Sequence, residues 1–117
     1  METEKKKVIS VLVENKPGVL HTISNLFRRR NFNIESITVG STEQTDIARM
    51  TITVNKDEKI DQIIKQVAKQ IDVLRVGELE EGNFVMRELS LIKVKVESSK
   101  ERSDIINFAE VFRGRII

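Results

Sequence analysis

The residues best suited to chemistry in this 117-residue chain lie in a polar turn, Asn15 to Gly18, which follows an apolar run from Val8 to Val13. A helical pattern comes next, and proline suits a first helical position, where its missing N–H is not needed, so Pro17 is placed there. Glycine lets another molecule come close to the backbone. The free N–H groups of a first helical turn attract anions, including carboxylates. The turn therefore predicts a site for a small amino acid.

No other pattern in the sequence points to catalysis. His21 is the only histidine, and no Ser, Asp or Glu pattern beside it suggests a catalytic group, so a surface position on a polar helix face is the better interpretation. Cysteine is absent, which excludes disulfides, thiolate metal sites and iron–sulfur clusters, and favours a cytosolic protein. The sequence also lacks a phosphate loop of the form G-x-x-x-x-G-K. We therefore expect a binding protein that is not an enzyme.

Charge and hydropathy restrict the partners. The 20 Lys and Arg residues against 18 Asp and Glu leave a net charge of +2, which indicates a mixed, solvated surface and no nucleic-acid partner. No apolar run approaches the roughly 18 residues of a membrane-spanning helix, so no membrane partner is expected. The segment from Met1 to Lys7 carries charge but no separate apolar region, and it does not have the pattern of a signal peptide.

Apolar periodicity predicts six elements that position the turn. In chain order they are a strand over Lys7–Glu14, a helix over Pro17–Arg30, strands over Phe32–Gly40 and Ile47–Val54, a helix with an apolar series from Ile60 to Ile71, and a strand over Asp72–Leu79. This order is that of the ferredoxin-like βαββαβ fold, an antiparallel sheet with two helices on one face. The predicted class is therefore α+β.

Local signals refine this prediction. Both faces of the first strand are largely apolar, which places that strand in the sheet interior. The first helix has an apolar stripe formed by Leu20, Ile23, Leu26 and Phe27. Asn31 is expected to take the left-handed position that ends this helix. Asn55 or Asp57 is expected to cap the second helix.

After the sixth element the pattern begins again. The sequence divides into a first domain over residues 1–80, a linker over 81–88, and the strand–helix–strand start of a second α/β domain over 89–117. Leu89 to Val96 alternates like a strand, and Ser98-x-x-Glu101 has the form of a capping box. Gly114 is placed to close the helix that follows, and Arg115–Ile117 would open another strand. We therefore expect an incomplete, apparently truncated second domain.

The residues also resemble a known family. The stretches that carry the resemblance are V-L-V-E-N-K-P-G-V-L, N-F-N-I-E-S-I-T-V, A-R-M-T-I-T-V, I-D-V-L-R-V-G-E-L, R-E-L-S-L-I-K-V and A-E-V-F-R-G-R-I-I. Together they resemble the small regulatory subunit of acetohydroxyacid synthase, also called acetolactate synthase, over essentially all of the chain from Val8 to Ile117. The first stretches alone are typical of any ACT domain, a module of amino-acid-sensing proteins. Their combination with the later stretches is far more specific.

The resemblance implies a function. In such subunits an N-terminal ACT domain binds a branched-chain amino acid, usually valine, at a homodimer interface. The subunit activates a separate catalytic subunit and conveys feedback inhibition of branched-chain amino-acid biosynthesis in the cytoplasm. Thiamine diphosphate, magnesium and FAD would belong to the catalytic subunit, and this chain would carry no cofactor or metal.

The resemblance also implies site residues. Asn15 and Gly18, followed by Val19, match the family's strand–helix turn, and they would meet the carboxylate of the effector through backbone N–H groups and the Asn15 side chain. Asn33 and Ile34 match the start of the second strand. Asn33 would contact the amino or carboxylate group of the effector, across the dimer interface.

Two departures and two alternatives accompany the resemblance. Asn31 stands where the family commonly has Gly, and we expect most of the C-terminal domain to be missing, which would affect the expected activation more than the effector site. A stand-alone ACT sensor that controls a different enzyme is one alternative. An RNA-binding domain of the RRM type shares the element order, but it reads bases with aromatic residues on its middle strands. The strand over Ile47–Val54 has none, which argues against RNA.

Overall fold

The first strand, β1 (Lys6–Glu14), lies inside a four-stranded antiparallel sheet of order β2-β3-β1-β4, as its two apolar faces predict. A computed structural model describes residues 6–117. The remaining elements of its first unit are α1 (Val19–Arg29), β2 (Ile34–Ser41), β3 (Ile47–Asn55), α2 (Ile60–Ala68) and β4 (Val73–Glu78). The ferredoxin-like βαββαβ prediction is confirmed. This unit ends at Val85, inside the predicted linker, and a second begins at Met86.

One face of the sheet forms the core. Ile9 and Val11 of β1 have no exposed surface, and Ile52 and Met50 of β3 lie directly opposite them. The two helices contribute buried residues to the same cluster, which are Val19, Ile23, Leu26 and Phe27 from α1 and Ile60, Ile63 and Val67 from α2. Full burial of one such side chain stabilises the fold by roughly 1.5–3 kcal/mol. Both helices therefore cover one face of the sheet.

The turn before α1 differs from the prediction. Pro17 is not the first helical residue, because Gly18 is the N-cap, with φ 87° and ψ −12°, and the helix begins at Val19. These angles are those of the third residue of a type II turn, which favours proline at the second position and glycine at the third. Val19 is consequently the first buried residue of α1, and Leu20, predicted on the apolar stripe, is 45% exposed.

The end of α1 follows the prediction for Asn31. This residue has φ 55°, its N–H donates to Arg28 at 3.0 Å, and the N–H of Phe32 donates to the carbonyl of Phe27 at 2.9 Å. These two bonds form a Schellman motif with Asn in the left-handed position. The rings of Phe27 and Phe32 meet edge to face at 6.0 Å. The motif therefore fixes the direction in which the chain enters β2.

The limits of α2 also correct the prediction. Asp57 accepts a 2.8 Å hydrogen bond from the N–H of Lys59, just before the helix begins. Asn55 has a different role, because its Nδ2 donates to Glu35 at 3.1 Å. The apolar series was expected to continue to Ile71, but the helix ends at Ala68. Ile71 is 93% exposed as a result.

The second unit contains a helix, α3 (Ser99–Val111). The predicted cap is confirmed, because Ser98 Oγ accepts from the N–H of Glu101 at 3.1 Å. Gly114 does not take the left-handed position at the helix end. Arg113 takes it, with φ 56°, and Gly114 donates its N–H to Ala109 at 2.6 Å.

The strand predicted over Leu89–Val96 is wrong for the described residues, in which this segment has no assigned strand. Its apolar side chains are exposed, with Leu89 at 91% and Ile92 at 83%. A strand needs a neighbour for its ladder of hydrogen bonds. The described residues of the second unit contain no such neighbouring strand, so alternation alone does not produce one here.

Replacing the buried ring at the end of α1 should destabilise the first unit. Phe27→Ala removes a fully buried side chain that also packs on Phe32, and we expect a loss of about 3–5 kcal/mol in the free energy of unfolding. Urea denaturation of the full chain measures this loss. Leu20→Ala, on the exposed side of the same helix, is the control and should cost under about 1 kcal/mol. Equal losses in the two variants would contradict the assignment of Phe27 to the core.

Candidate functional site

The partial positive charge at the N-terminus of α1 is not compensated by a side chain of the described residues. Among residues 6–117 no side chain caps its first turn, and no acidic residue lies in that turn. Gly18 is exposed, and its carbonyl accepts bonds from the N–H and hydroxyl of Thr22, both at 3.0 Å. The partial positive charge of a helix N-terminus favours an anion at this position. A carboxylate is therefore the chemical group that best complements this turn.

Asn15 anchors the turn to the loop between β2 and β3. Its backbone N–H donates to Asp46 at 2.9 Å, and its Nδ2 donates to the carbonyl of Thr45 at 3.1 Å. The side chain was predicted to meet a carboxylate, and one of its two N–H groups is already used in this contact. An asparagine amide has a second N–H, so Asn15 positions the turn and keeps one donor.

Lys16 anchors the other side of the turn. Its ammonium pairs with Glu14 and lies 3.7 Å from Asp72, and the N–H of Glu14 donates to the carbonyl of Asp72 at 2.9 Å. The hydrogen bond from Lys16, with its charge, lowers the pKa of Glu14, and the same contact with Glu14 raises the pKa of Lys16. Because two carboxylates compensate its charge, Lys16 stabilises the turn and does not serve as an anion ligand.

Val19 and the second group of predicted residues lie elsewhere. The side chain of Val19 is buried in the core, so only its backbone lies at the turn. Asn33 is exposed and Ile34 is half-buried, and both line a hollow of about 380 Å³ near the end of α1. The 11 residues of α1 span about 16 Å at roughly 1.5 Å per residue. A single chain therefore does not bring the two groups together.

Sequence reasoning missed a second hollow, of about 510 Å³, on the sheet face opposite the helices. Arg49 and Gly40 line it, and these residues lie opposite each other on β3 and β2. The available signal was the alternation of β3, which points Arg49 away from the core, together with a glycine inside a strand.

Two other kinds of site find no support in residues 6–117. Within this range, no group of three His, Cys, Asp or Glu side chains is placed to hold a metal ion. None of the helices described there is both long enough and apolar enough to cross a membrane.

Comparison with known proteins finds a family model that matches each of the two parts of the sequence. A family model described as "AHAS small subunit-like ACT domain" matches residues 9–75. A second model, described as "Small subunit of acetolactate synthase", matches residues 87–117. The two matches together cover most of the chain.

Individual relatives agree with these models. A probable acetolactate synthase small subunit of Methanothermobacter thermautotrophicus is 52% identical over 94% of this chain and 66% of its own length. An acetolactate synthase small subunit of Mycobacterium avium is 52% identical over 93% of this chain and 65% of its own length. The chain thus spans about two thirds of the length of these curated relatives.

A solved structure supports the fold. The crystal structure of the acetolactate synthase small subunit from Thermotoga maritima superposes with a TM-score of 0.76 at 37% identity, over 96% of this chain and 70% of that one. The ACT domain of the GTP pyrophosphokinase of Chlorobium tepidum is similar in fold alone, with a TM-score of 0.54 at 20% identity over 63% of this chain and 96% of that one.

The ion pair between Lys16 and Glu14 predicts that the stabilising contribution of Glu14 is lost at acidic pH. A carboxylate with a lowered pKa contributes stability above its ordinary value of 4.5, and this contribution disappears as the pH falls through the lowered value. Lys16→Gln should therefore raise the pKa of Glu14 towards 4.5, as measured by NMR titration of the side-chain carboxyl. Lys65→Gln, a charge-matched change on α2, should leave the Glu14 titration unchanged. If the two variants gave the same titration curve, Lys16 would not be the cause of the lowered pKa of Glu14.

Proposed function

This chain belongs to the family of acetolactate synthase small subunits, and we propose that it is a non-catalytic regulatory subunit that binds a branched-chain amino acid, valine foremost, where two ACT domains meet. Binding there changes how the dimer acts on a separate catalytic subunit, which it activates and to which it conveys feedback inhibition. The observation that carries the proposal is the exposed, uncapped start of α1 at Gly18, within the region that matches the ACT model.

The strand directions support a site that is shared between two chains. β1 and β2 are both antiparallel to β3, so β1 and β2 run in the same direction. Gly18 follows the end of β1, whereas Asn33 precedes the start of β2. These two residues therefore lie at opposite ends of the same sheet.

A second copy can reunite them. β2 is an edge strand, with one side of its backbone available to another strand. If two β2 strands pair antiparallel about a two-fold axis, the second chain is reversed. Its Asn33 then comes to the same end of the joined sheet as Gly18 of the first chain. The two-fold axis makes two equivalent sites per dimer.

The chemistry of these groups suits an amino acid of modest affinity. A carboxylate at the helix N-terminus accepts charge-assisted hydrogen bonds, each contributing about 1.5–3 kcal/mol, and the Asn33 amide can bind the amino or carboxylate group across the interface. Micromolar to millimolar binding needs only about 8 to 4 kcal/mol. A few such bonds and one buried isopropyl group therefore suffice for a metabolite sensor.

The catalytic chemistry would belong to the partner. We assign thiamine diphosphate, magnesium and FAD to the catalytic subunit, and the absence of cysteine supports a cytoplasmic location. Linkage requires that binding of the catalytic subunit alter effector affinity by the same factor as the reverse. A stand-alone ACT sensor of another enzyme is the second candidate, and a pull-down with the acetolactate synthase catalytic subunit discriminates between them.

A charge placed at the turn should abolish effector binding. Gly18→Asp introduces a carboxylate beside the anion position, and we expect calorimetry to show no saturable heat with L-valine. Leucine, isoleucine and serine measure selectivity. Gly82→Asp is the matched control, because Gly82 also has a positive φ, of 83°, but lies outside the turn. Normal valine binding by Gly18→Asp, or equal loss in both variants, would show that the site is not at this turn.

Mixing two defective chains should restore binding if the site is shared. In a heterodimer of Gly18→Asp and Asn33→Ala chains, one site carries both changes and the other carries neither. We therefore expect each homodimer to be silent, and the refolded mixture to bind one valine per heterodimer in calorimetry. If the mixture also stays silent while forming heterodimers, the two residues act within one chain and the interface site is wrong.

A further inference from the structure

The sheet face opposite the helices has a hollow beside the β2–β3 loop that the proposed function does not use. Its volume is about 510 Å³, within the range of small-molecule pockets. The strand residues that line it include Leu12, Thr38, Gly40, Ile47, Arg49 and Thr51. None of the residues assigned to the effector is among them. The hollow is therefore separate from the turn at Gly18.

Arg49 supplies a cation in this hollow. It lies opposite Leu12 of β1 and Gly40 of β2, and its Nη1 donates to Ser10 Oγ at 2.6 Å. No carboxylate among residues 6–117 forms an ion pair with it. The planar guanidinium matches a carboxylate in two-pronged hydrogen bonding. A positioned guanidinium without a counter-ion is suited to an anionic ligand.

Gly40 leaves the space that such a ligand needs. An added Cβ there would meet no atom within 4 Å, and its φ is outside the left-handed region. The backbone thus does not require glycine at this position. A glycine inside a strand weakens the strand, and it often marks a place where a ligand approaches closely. The missing side chain opens the surface directly beside Arg49.

The remaining lining restricts the class of ligand. Leu12 and Ile47 provide apolar surface, and the directly opposed Thr38 and Thr51 provide hydroxyl groups. Glu43 also lines the hollow. Its negative charge repels any anion, and dianions such as phosphates and dicarboxylates most strongly, whereas it attracts an ammonium group. A short aliphatic molecule with one carboxylate fits Arg49 and the apolar surface, and an ammonium group beside the carboxylate also fits Glu43.

We propose that this hollow is a second ligand site, which binds a small aliphatic monocarboxylate with its carboxylate at Arg49 and its hydrocarbon part on Leu12 and Ile47. Branched-chain α-amino acids and their 2-oxo acids share this chemistry. They differ at the α-carbon, where only the amino acid offers an ammonium group to Glu43. Regulation could then respond to two ligands on one domain, one at the dimer interface and one on the open sheet face.

NMR titration of the full ¹⁵N-labelled chain tests the site with two probes, L-valine and 3-methyl-2-oxobutanoate. We expect saturable shifts of the Gly40 and Arg49 amides with at least one probe, and weaker binding by about tenfold or more in Arg49→Gln. Gly40→Val should weaken this binding by placing a side chain on the surface beside Arg49. If neither probe gives saturable shifts there, the proposal is wrong.

Matched controls lie on the same sheet face. Arg75 is opposite Leu12 from the β4 side and does not line the hollow, so Arg75→Gln removes the same charge without touching the site. Gly77, whose added Cβ would also meet no atom within 4 Å, gives the steric control Gly77→Val. Both controls should bind as the unchanged chain does. Equal weakening in Arg49→Gln and Arg75→Gln would overturn the assignment.

The titration is repeated in the Gly18→Asp chain, so that the two sites are separated. Chemical-shift changes at Gly40 that persist in the Gly18→Asp chain support an independent site. This holds even if Gly18→Asp does not alter binding of the proposed effector at the turn. Shifts that vanish in Gly18→Asp belong to the turn and overturn the second site. Tighter binding of valine than of the oxo acid supports the role of Glu43, and Glu43→Gln should remove that preference.

Discussion

The packing of β1 under two helices is the constraint on which the rest of the first unit depends. Ile9 and Val11 are completely buried, and β1 is hydrogen-bonded to β3 on one side and to β4 on the other. A strand fixed by two neighbours and by a close-packed core has little freedom to shift, because a one-residue slip would expose its whole apolar face. Because the turn follows directly after β1, its position is fixed as well.

That turn is held firmly on two sides and left open on one. Asn15 bonds it to the β2–β3 loop, and Lys16 bonds it to Glu14 and Asp72. Gly18 adopts a left-handed conformation that other residues rarely take, and the helix that follows has no side-chain cap. Binding sites need such support around the contact groups, because a held geometry avoids the entropic cost of ordering the site on binding.

The sequence predicted the features that depend on residues close together in the chain. Alternation located β3, and the left-handed Asn31 was predicted because asparagine tolerates that conformation. Prediction from the sequence failed where the structure depends on residues that are distant in the chain. Leu89–Val96 alternates but has no strand neighbour in the part of the chain that the structure describes, and Ile71 continues a helical spacing after the helix has ended. The hollow at Arg49 requires the register of three strands, which no single stretch contains. The turn at Gly18 was predicted from its residue types, whereas Asn33 was named by resemblance, and the fold shows that the two lie at opposite ends of one sheet.

The parallel directions of β1 and β2 connect binding with assembly. They place Gly18 and Asn33 at opposite ends of one sheet, so the proposed site, which uses both residues, would exist only where two chains pair through β2. A ligand that binds only the paired state stabilises that state by mass action, and any partner that alters the pairing must alter ligand affinity equally. The βαββαβ topology itself, once dimerised in this way, makes ligand occupancy sensitive to the quaternary state, which a regulatory subunit requires.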